Sequence, residues 1–395
     1  MQCLLVSPVR LGFGTGALML AAIALWWAWT MLWPARVSGL PTLVVHGLLM
    51  TWGFLPLFIA GFLFTAVPRW LGCAPVAARS LLPAIGAQLA GWCVFVLALA
   101  GDAARAPLLA AMGLACVAAG WNSLVWRYLR LVRRSTQANR THARLLLAAC
   151  LCGTLLLDAT VAAVAAQAWN LVRALVQGAL WGCMGVAYAA ALHRMIPFFG
   201  SGAEWLESRW PQWLLWTLVG VMALQAMLRP ALLLIGPPEG GLRLALRLGH
   251  GALGVLGLVL AWRWSRLQGA RQRLPAMLHR GFAWLGAALL LLALEQHAAA
   301  LHAYVLGFLG TSLLAMASRI ACGQTGRTVV ADDFLWLLHW LLQAAVLLRL
   351  SAALWPTSAY WNGVLAALAW AGMALGWWLR YGNWLGRPAL VRARR

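Results

Sequence analysis

The sequence predicts an all-α fold: a polytopic integral membrane bundle of about 12 transmembrane helices with both termini cytoplasmic. Three observations predict it. Hydrophobic residues make up 64% of the 395 and charged residues only 10%, with mean hydropathy of +0.82, which leaves too little polar surface for a water-soluble globule. Apolar runs of about 20 residues recur, the length a helix needs to cross a roughly 30 Å hydrocarbon core. All 30 basic residues are arginine, and they crowd into alternate gaps between those runs.

Arginine, proline and glycine punctuation divides the chain into twelve spans. The first six cover Leu11 to Trp33, Leu43 to Val67, Leu81 to Ala100, Pro107 to Arg127, Leu145 to Ala166, and Leu171 to His193. The second six cover Trp213 to Ile235, Leu242 to Trp262, Met277 to Leu294, Leu301 to Ile320, Asp332 to Ser351, and Tyr360 to Tyr381. The first run is longer than the 7 to 15 residues of a signal-peptide core and reads as a retained helix. The sixth gap is the least sharply marked, because Pro197 extends or kinks its helix. The longest gaps, near Tyr128 to Arg144 and Gly200 to Gln212, hold fewer than 20 residues, so a single transmembrane domain over residues 1–395 is expected, with no separate soluble domain.

Counting arginines by gap orients the bundle. With the N-terminus inside, only Arg36, Arg105, Arg173, Arg229, Arg243, Arg247 and Arg349 fall outside; the other 23 of 30 are cytoplasmic. The chain therefore reads as a multi-pass membrane protein with both termini cytoplasmic. The formal charge of +22 is spread over short gaps, which fits anionic lipid headgroups and argues against nucleic acid as a partner. Tryptophans at run ends, among them Trp33, Trp70, Trp169, Trp205, Trp210, Trp262, Trp355 and Trp384, read as interface anchors. Gly12 and Gly16 read as a close helix contact. The eight cysteines lie mostly within apolar runs without CxxC spacing, as small packing residues rather than disulfide partners.

Chemistry has to come from polar groups at membrane depth, where an ionisable side chain faces a partner, a cavity or a metal. Topology sorts the histidines into two layers. His46, His250, His297 and His302 lie toward the outer face, and His193, His279 and His339 toward the cytoplasm; His142 belongs to a basic loop and is given no role. Neutral imidazole is a ligand for haem iron and copper, and two layers suggest two sites, with a satisfied structural histidine the competing reading at each position. Met50 follows His46 by four residues on the same face, as a thioether ligand or as packing. Asp158 and Glu295 are placed to orient an imidazole, pass protons or simply pack. Arg194, Arg319 and Arg327 suit haem propionates, although topology alone accounts for them. The polar stretch Met316 to Asp333, MASRIACGQTGRTVVADD, is expected to be a functional loop, with Gly323 and Gly326 permitting turns.

Five segments carry a family resemblance. HGLLMTWGFLPLFIAGFLFTAVPRWLG (His46 to Gly72), RMIPFF (Arg194 to Phe199), LHRGFAW (Leu278 to Trp284), LHAYVLGFLGT (Leu301 to Thr311) and GQTGR (Gly323 to Arg327) occur in that order over about 280 residues. Together they resemble the NnrS family of haem- and copper-containing membrane proteins. The resemblance implies a twelve-helix bundle that binds haem and copper and handles nitric oxide beside denitrification or under nitrosative stress. It points to His46, His279 and His302 as retained histidines and to Arg319 and Arg327 in the hairpin. Two family imidazoles are replaced, by Leu48 and Gln324, and Cys322 precedes the latter as a soft candidate ligand for copper.

The expected cofactor-binding set is His46, His279, His302, His250, His193, Arg319 and Arg327, and the metal candidates are His46, His302, His279, His297 and His339. The expected function is an inner-membrane haem b protein, with copper as a further candidate, that binds or processes nitric oxide. His46 and His302 are the expected partners of an outer-layer haem. Catalytic residues and the electron donor are not readable, and NO reduction stands beside simple binding. The alternative is a non-enzymatic transporter or metal/haem-handling permease, with the histidines lining a path.

Overall fold

The computed structural model describes residues 2–33, 39–195, 212–268 and 272–390. They form helices joined by short connections, with no strand among the described residues. Among the described residues twelve helices are long and apolar enough to cross a membrane, and the chain is a multi-pass membrane protein. They are α1 (Pro8–Leu32), α2 (Thr42–Trp70), α3 (Ala78–Ala100), α4 (Ala106–Arg134), α5 (Thr141–Ala165) and α6 (Trp169–Met195). Then follow α7 (Gln212–Leu234), α8 (Gly240–Gln268), α9 (Arg273–Ala293), α10 (His297–Gln324), α11 (Asp333–Leu354) and α12 (Pro356–Leu385).

The expected gap from Tyr128 to Arg144 shrinks on both sides. α4 continues to Arg134 and α5 begins at Thr141. Arginine is a good helix former, so the charges that end a hydrocarbon span need not end the helix. His142 thus lies inside α5 and is buried. α2 is interrupted at Gly53 and Phe54, where Pro56 has no N–H for the carbonyl of Trp52 and its ring crowds that carbonyl.

Among the described residues three helices contain π-helical turns: Ala179–Gly185 in α6, Ala303–Gly310 in α10 and Trp378–Gly382 in α12. Such turns insert a residue into the helix and recur at functional sites.

The chain divides into two compact units. The N-terminal unit holds the first half of α1 with α2 to α7, and the C-terminal unit holds the second half of α1 with α8 to α12. In the N-terminal unit α1 presses directly on α2: a methyl group built on Gly12 falls 2.6 Å from Gly61 N, and one on Gly16 falls 2.9 Å from Phe58. The Gly12 and Gly16 pair is therefore a close helix contact. Large apolar side chains such as Leu155, Met227 and Leu248 point outward, an arrangement that lipid accepts and water penalises.

Candidate functional site

The C-terminal unit gathers five of the singled-out histidines. The turn from α9 to α10 is made by Glu295 at φ +61, with Gln296 N donating to Leu291 O at 2.8 Å and His297 N to Glu295 O at 3.0 Å. α8 pins this turn from the side. Arg243 Nε donates to Glu295 Oε1 at 2.6 Å, its Nη2 donates to Oε2, and Arg247 Nε donates to Ala293 O at 3.1 Å. The hydrogen bonds from Arg243 hold the Glu295 carboxyl below the usual carboxylate range. Glu295, a candidate for orienting an imidazole or passing protons, is engaged in closing the turn.

His302 lies one and a half turns into α10. Its Nδ1 is 2.8 Å from Ala298 O. A carbonyl only accepts, so Nδ1 carries the proton and Nε2 carries the lone pair, which is the tautomer and supporting contact of a metal-ligating imidazole. The π-helical turn starts at the next residue. There Gly307 faces Trp284 of α9 so closely that a methyl group on it would fall 2.5 Å from the indole Cγ. Trp284 Nε1 donates to Gln343 Oε1 at 2.7 Å, and Gln343 Nε2 donates to Thr311 Oγ1 at 3.0 Å. One polar chain thereby links α9, α11 and α10, with Gln343 and Thr311 buried.

His250 and His297 share the end of the unit where His302 lies. Gly251 lies against Ala293, its built methyl 3.8 Å from that Cβ, which places the buried His250 level with the turn. His297 opens α10 and is exposed.

His279 and His339 lie toward the other end. The Gly307 and Trp284 contact sets the register of α9 on α10, and separates His279 from His302 by about 15 Å along the helix axes. His279 is buried, and its Nε2 has no hydrogen-bond partner among the described residues. His339 is fully buried, and Arg280 Nη1 lies 2.9 Å from its Nε2. A guanidinium only donates, so the His339 Nε2 lone pair is occupied and Nδ1 carries the proton. Of these imidazoles, His302 has a lone pair presented by a fixed tautomer, His279 has a buried nitrogen without a partner, and His339 has its lone pair on an arginine.

The GQTGR turn explains its own residues. Thr325 Oγ1 donates to Ala321 O at 2.8 Å, Arg327 N donates to Cys322 O at 3.0 Å, and Gly326 sits at φ +69 beneath the backbone of Leu390, whose N donates to Thr325 O at 3.0 Å. Only glycine fits there. Gly323 is helical with open space around it. Arg327 stacks over Trp384 at 4.4 Å. Arg380 forms a bidentate pair with Asp332, whose carboxylate also accepts from Leu335 N at 3.0 Å and caps α11. Arg319 is half-buried on α10, and Cys322 is buried near its end.

The N-terminal unit contains His46, half-buried on α2, and a pair that the sequence reading does not contain. His142 Nε2 lies 3.1 Å from His193 Nδ1, with the rings stacked at 5.3 Å and 29°. Both are buried. His142 belongs to the first turn of α5, and Arg140 and Arg144 on either side of it make the segment read as a basic loop. Asp158 is exposed on α5, and Asn122 Nδ2 donates to both its oxygens at 3.0 and 3.2 Å. The segment from Ile196 to Phe199, most of the RMIPFF motif, lies outside the described residues, as do Trp205 and Trp210. The expected extension or kink at Pro197 falls in that segment.

All eight cysteines are free thiols. Among the described residues no three His, Cys, Asp or Glu side chains gather as a metal cluster. Haem iron asks for one or two axial side chains, and His279 and His302 are suited to that as single ligands.

Comparison with known proteins adds one match. The family model described as NnrS protein covers residues 4–389. No curated protein and no solved structure matches.

Proposed function

We propose, for a chain that belongs to the NnrS family, a haem b protein of the bacterial inner membrane that binds nitric oxide and supports denitrification or resistance to nitrosative stress. The family ties the chain to the nitric oxide response. The observation that carries the finer reading is the state of two imidazoles on the α9–α10 hairpin: His302 with Nδ1–H held by Ala298 O, and His279 with a buried Nε2 that no described residue satisfies. A buried polar nitrogen left without a partner costs about 1–3 kcal/mol, and a bound ligand recovers it.

In this reading His279 and His302 would each hold a haem, at different depths of the C-terminal unit, and His46, His193 and His250 are further candidates to hold one. Haem iron, when bound, supplies an open coordination position for a diatomic gas and one-electron chemistry. Ala298 O fixes the ring of His302, and the Trp284–Gln343–Thr311 chain holds α9, α10 and α11 in register between the two imidazoles. Arg319 and Arg327 offer cations to propionates. His339 acts as the acceptor that orients Arg280 rather than as a metal ligand. A copper site rests on the family resemblance, with Cys322 its soft donor on this chain. The apolar helices give an uncharged gas a path. Both termini face the cytoplasm, as the arginine count directs, and labelling of single cysteines placed at each end tests this.

The main test is spectroscopic. Gently purified protein is expected to show Soret and α bands that shift on reduction and on addition of NO, with His279→Ala and His302→Ala each removing or altering haem signal while His339→Ala leaves the iron ligands in place. Loss of haem in His339→Ala with full, unshifted haem in both other variants overturns the ligand assignment. A featureless spectrum supports the permease reading instead.

A further inference from the structure

α9 begins at Arg273, and Arg280 lies seven residues further on, about 10 Å deeper along the helix. An arginine inside an apolar span needs compensation. Its neighbours supply π faces and an imidazole rather than a carboxylate. The guanidinium carbon lies 4.8 Å from the ring centre of Trp336 and 4.9 Å from that of Trp340, and Nη1 donates to His339 Nε2 at 2.9 Å. His339 itself stacks on Trp336 at 5.1 Å.

The acids on this end of the unit are engaged with other cations. Asp333 Oδ1 accepts from Arg273 Nη1 at 2.6 Å, and Asp332 pairs with Arg380. Arg273 also lies over Trp336, 5.5 Å from its centre, so one indole is flanked by two guanidinium groups. Of the five N–H donors of Arg280, those not given to His339 have no protein acceptor among the described residues. Because Arg280 must donate, His339 is neutral, and its Nδ1–H is a further buried donor without a partner among the described residues. This is a donor set with a net positive charge and no anion.

The site opens to the surroundings of the bundle. Trp340 is 49% exposed and Leu337 55% exposed on the same stretch of α11, a surface that meets lipid. Trp336 and Trp340 meet edge to face at 82°, and a planar guanidinium fork seated in the corner they form is suited to two oxygens of one tetrahedral anion. Indoles near a helix end sit at the depth of lipid headgroups, and basic pockets between helices there take phosphate heads.

We propose that Arg280, seated in the corner of Trp336 and Trp340 and oriented by His339, binds a phosphate oxyanion contributed by the headgroup of an anionic phospholipid. On the orientation given above, that lipid belongs to the cytoplasmic leaflet. Loading of this site does not depend on haem.

The experiment uses the full chain in mild detergent, with added phosphatidylglycerol, phosphatidylcholine or inorganic phosphate, read by native mass spectrometry for bound lipid and by the melting midpoint. Phosphatidylglycerol is expected to bind and raise the midpoint of the wild type, and phosphatidylcholine is not. Arg280→Gln is expected to weaken phosphatidylglycerol binding about tenfold, the loss of one charge-assisted bidentate contact, and Arg280→Lys to fall between. Trp340→Leu, at an exposed position, removes one of the two indoles beside Arg280 and gives a partial loss even if Arg280→Gln does not fold. Wild-type phosphatidylglycerol binding in Arg280→Gln overturns the proposal, as does wild-type binding in Trp340→Leu should Arg280→Gln not fold. Stabilisation by inorganic phosphate equal to that by phosphatidylglycerol overturns the lipid assignment in favour of a free anion.

Discussion

Replacing Gly307 by alanine is expected to destabilise the C-terminal unit although alanine is the better helix former. The new methyl falls 2.5 Å from Cγ, 2.7 Å from Cβ and 2.8 Å from Cδ2 of Trp284, so the indole must move. It is bonded through Nε1 to Gln343, which is bonded in turn to Thr311, and Gln343 and Thr311 are buried. Overpacking of this kind costs about 1–3 kcal/mol, and a buried hydrogen bond left half-made adds about 1–3 kcal/mol. The intrinsic helix preference returns about 1 kcal/mol. A net loss of about 1–5 kcal/mol follows, centred near about 3 kcal/mol. Denaturant titration of the purified protein, followed by tryptophan fluorescence, measures it, with Trp284→Phe as the companion variant. Trp284→Phe removes the indole donor but keeps Cβ, Cγ and Cδ2, so Gly307→Ala on that background is expected to keep the steric cost, lose the hydrogen-bond part, and cost less than on the wild type. Equal effects on both backgrounds, or no loss in the single variant, would refute the argument from Trp284.

Asp332→Ala removes both the cap of α11 and the pair with Arg380 and is expected to cost about 1–2 kcal/mol at pH 7; Asp332→Asn keeps the acceptor for Leu335 N and costs less than about 1 kcal/mol, because the pair is partly exposed. Arg380 holds the Asp332 carboxyl below its usual range, so this stability is present above the unfolded pKa of about 3.9 and is lost as pH falls through the lower folded value, which melts at pH 7 and in acid distinguish. His142→Ala is expected to cost about 1–3 kcal/mol by removing a buried partner of His193, and equal melting of variant and wild type would make the contact energetically silent. Gly326→Ala forces an alanine to φ +69 beneath Leu390, costing about 1–2 kcal/mol, and limited proteolysis is expected to cut the released C-terminal segment faster than in the wild type.

Hydropathy and arginine punctuation make twelve spans legible because crossing the bilayer is a constraint on composition and length. The helix ends are less legible. At Arg127 to Arg134 and at Thr141 to Arg144 the charges mark where a hydrocarbon span stops, while the hydrogen-bonded helix runs on. The π-helical turns beside His302 and within α6 add one residue to a helix without changing its composition, so no hydropathy pattern shows them. The motifs single out His302 and His279, whereas the distinction between them and His339 depends on which nitrogen carries a proton. That is set by Ala298 O in one case and by Arg280 in another, and Arg280 in sequence looks like one more topology charge. The pairing of His142 with His193 joins two residues 51 apart on different helices, a separation that spacing along the chain does not resolve.

The most direct measurement is a pyridine haemochrome assay combined with metal analysis on gently purified wild-type protein and on His279→Ala and His302→Ala. The account predicts haem b at a fixed molar ratio in the wild type and less haem, or shifted bands, in the two variants. Colourless wild-type protein, or haem at the same ratio with unshifted bands in all three samples, would contradict it.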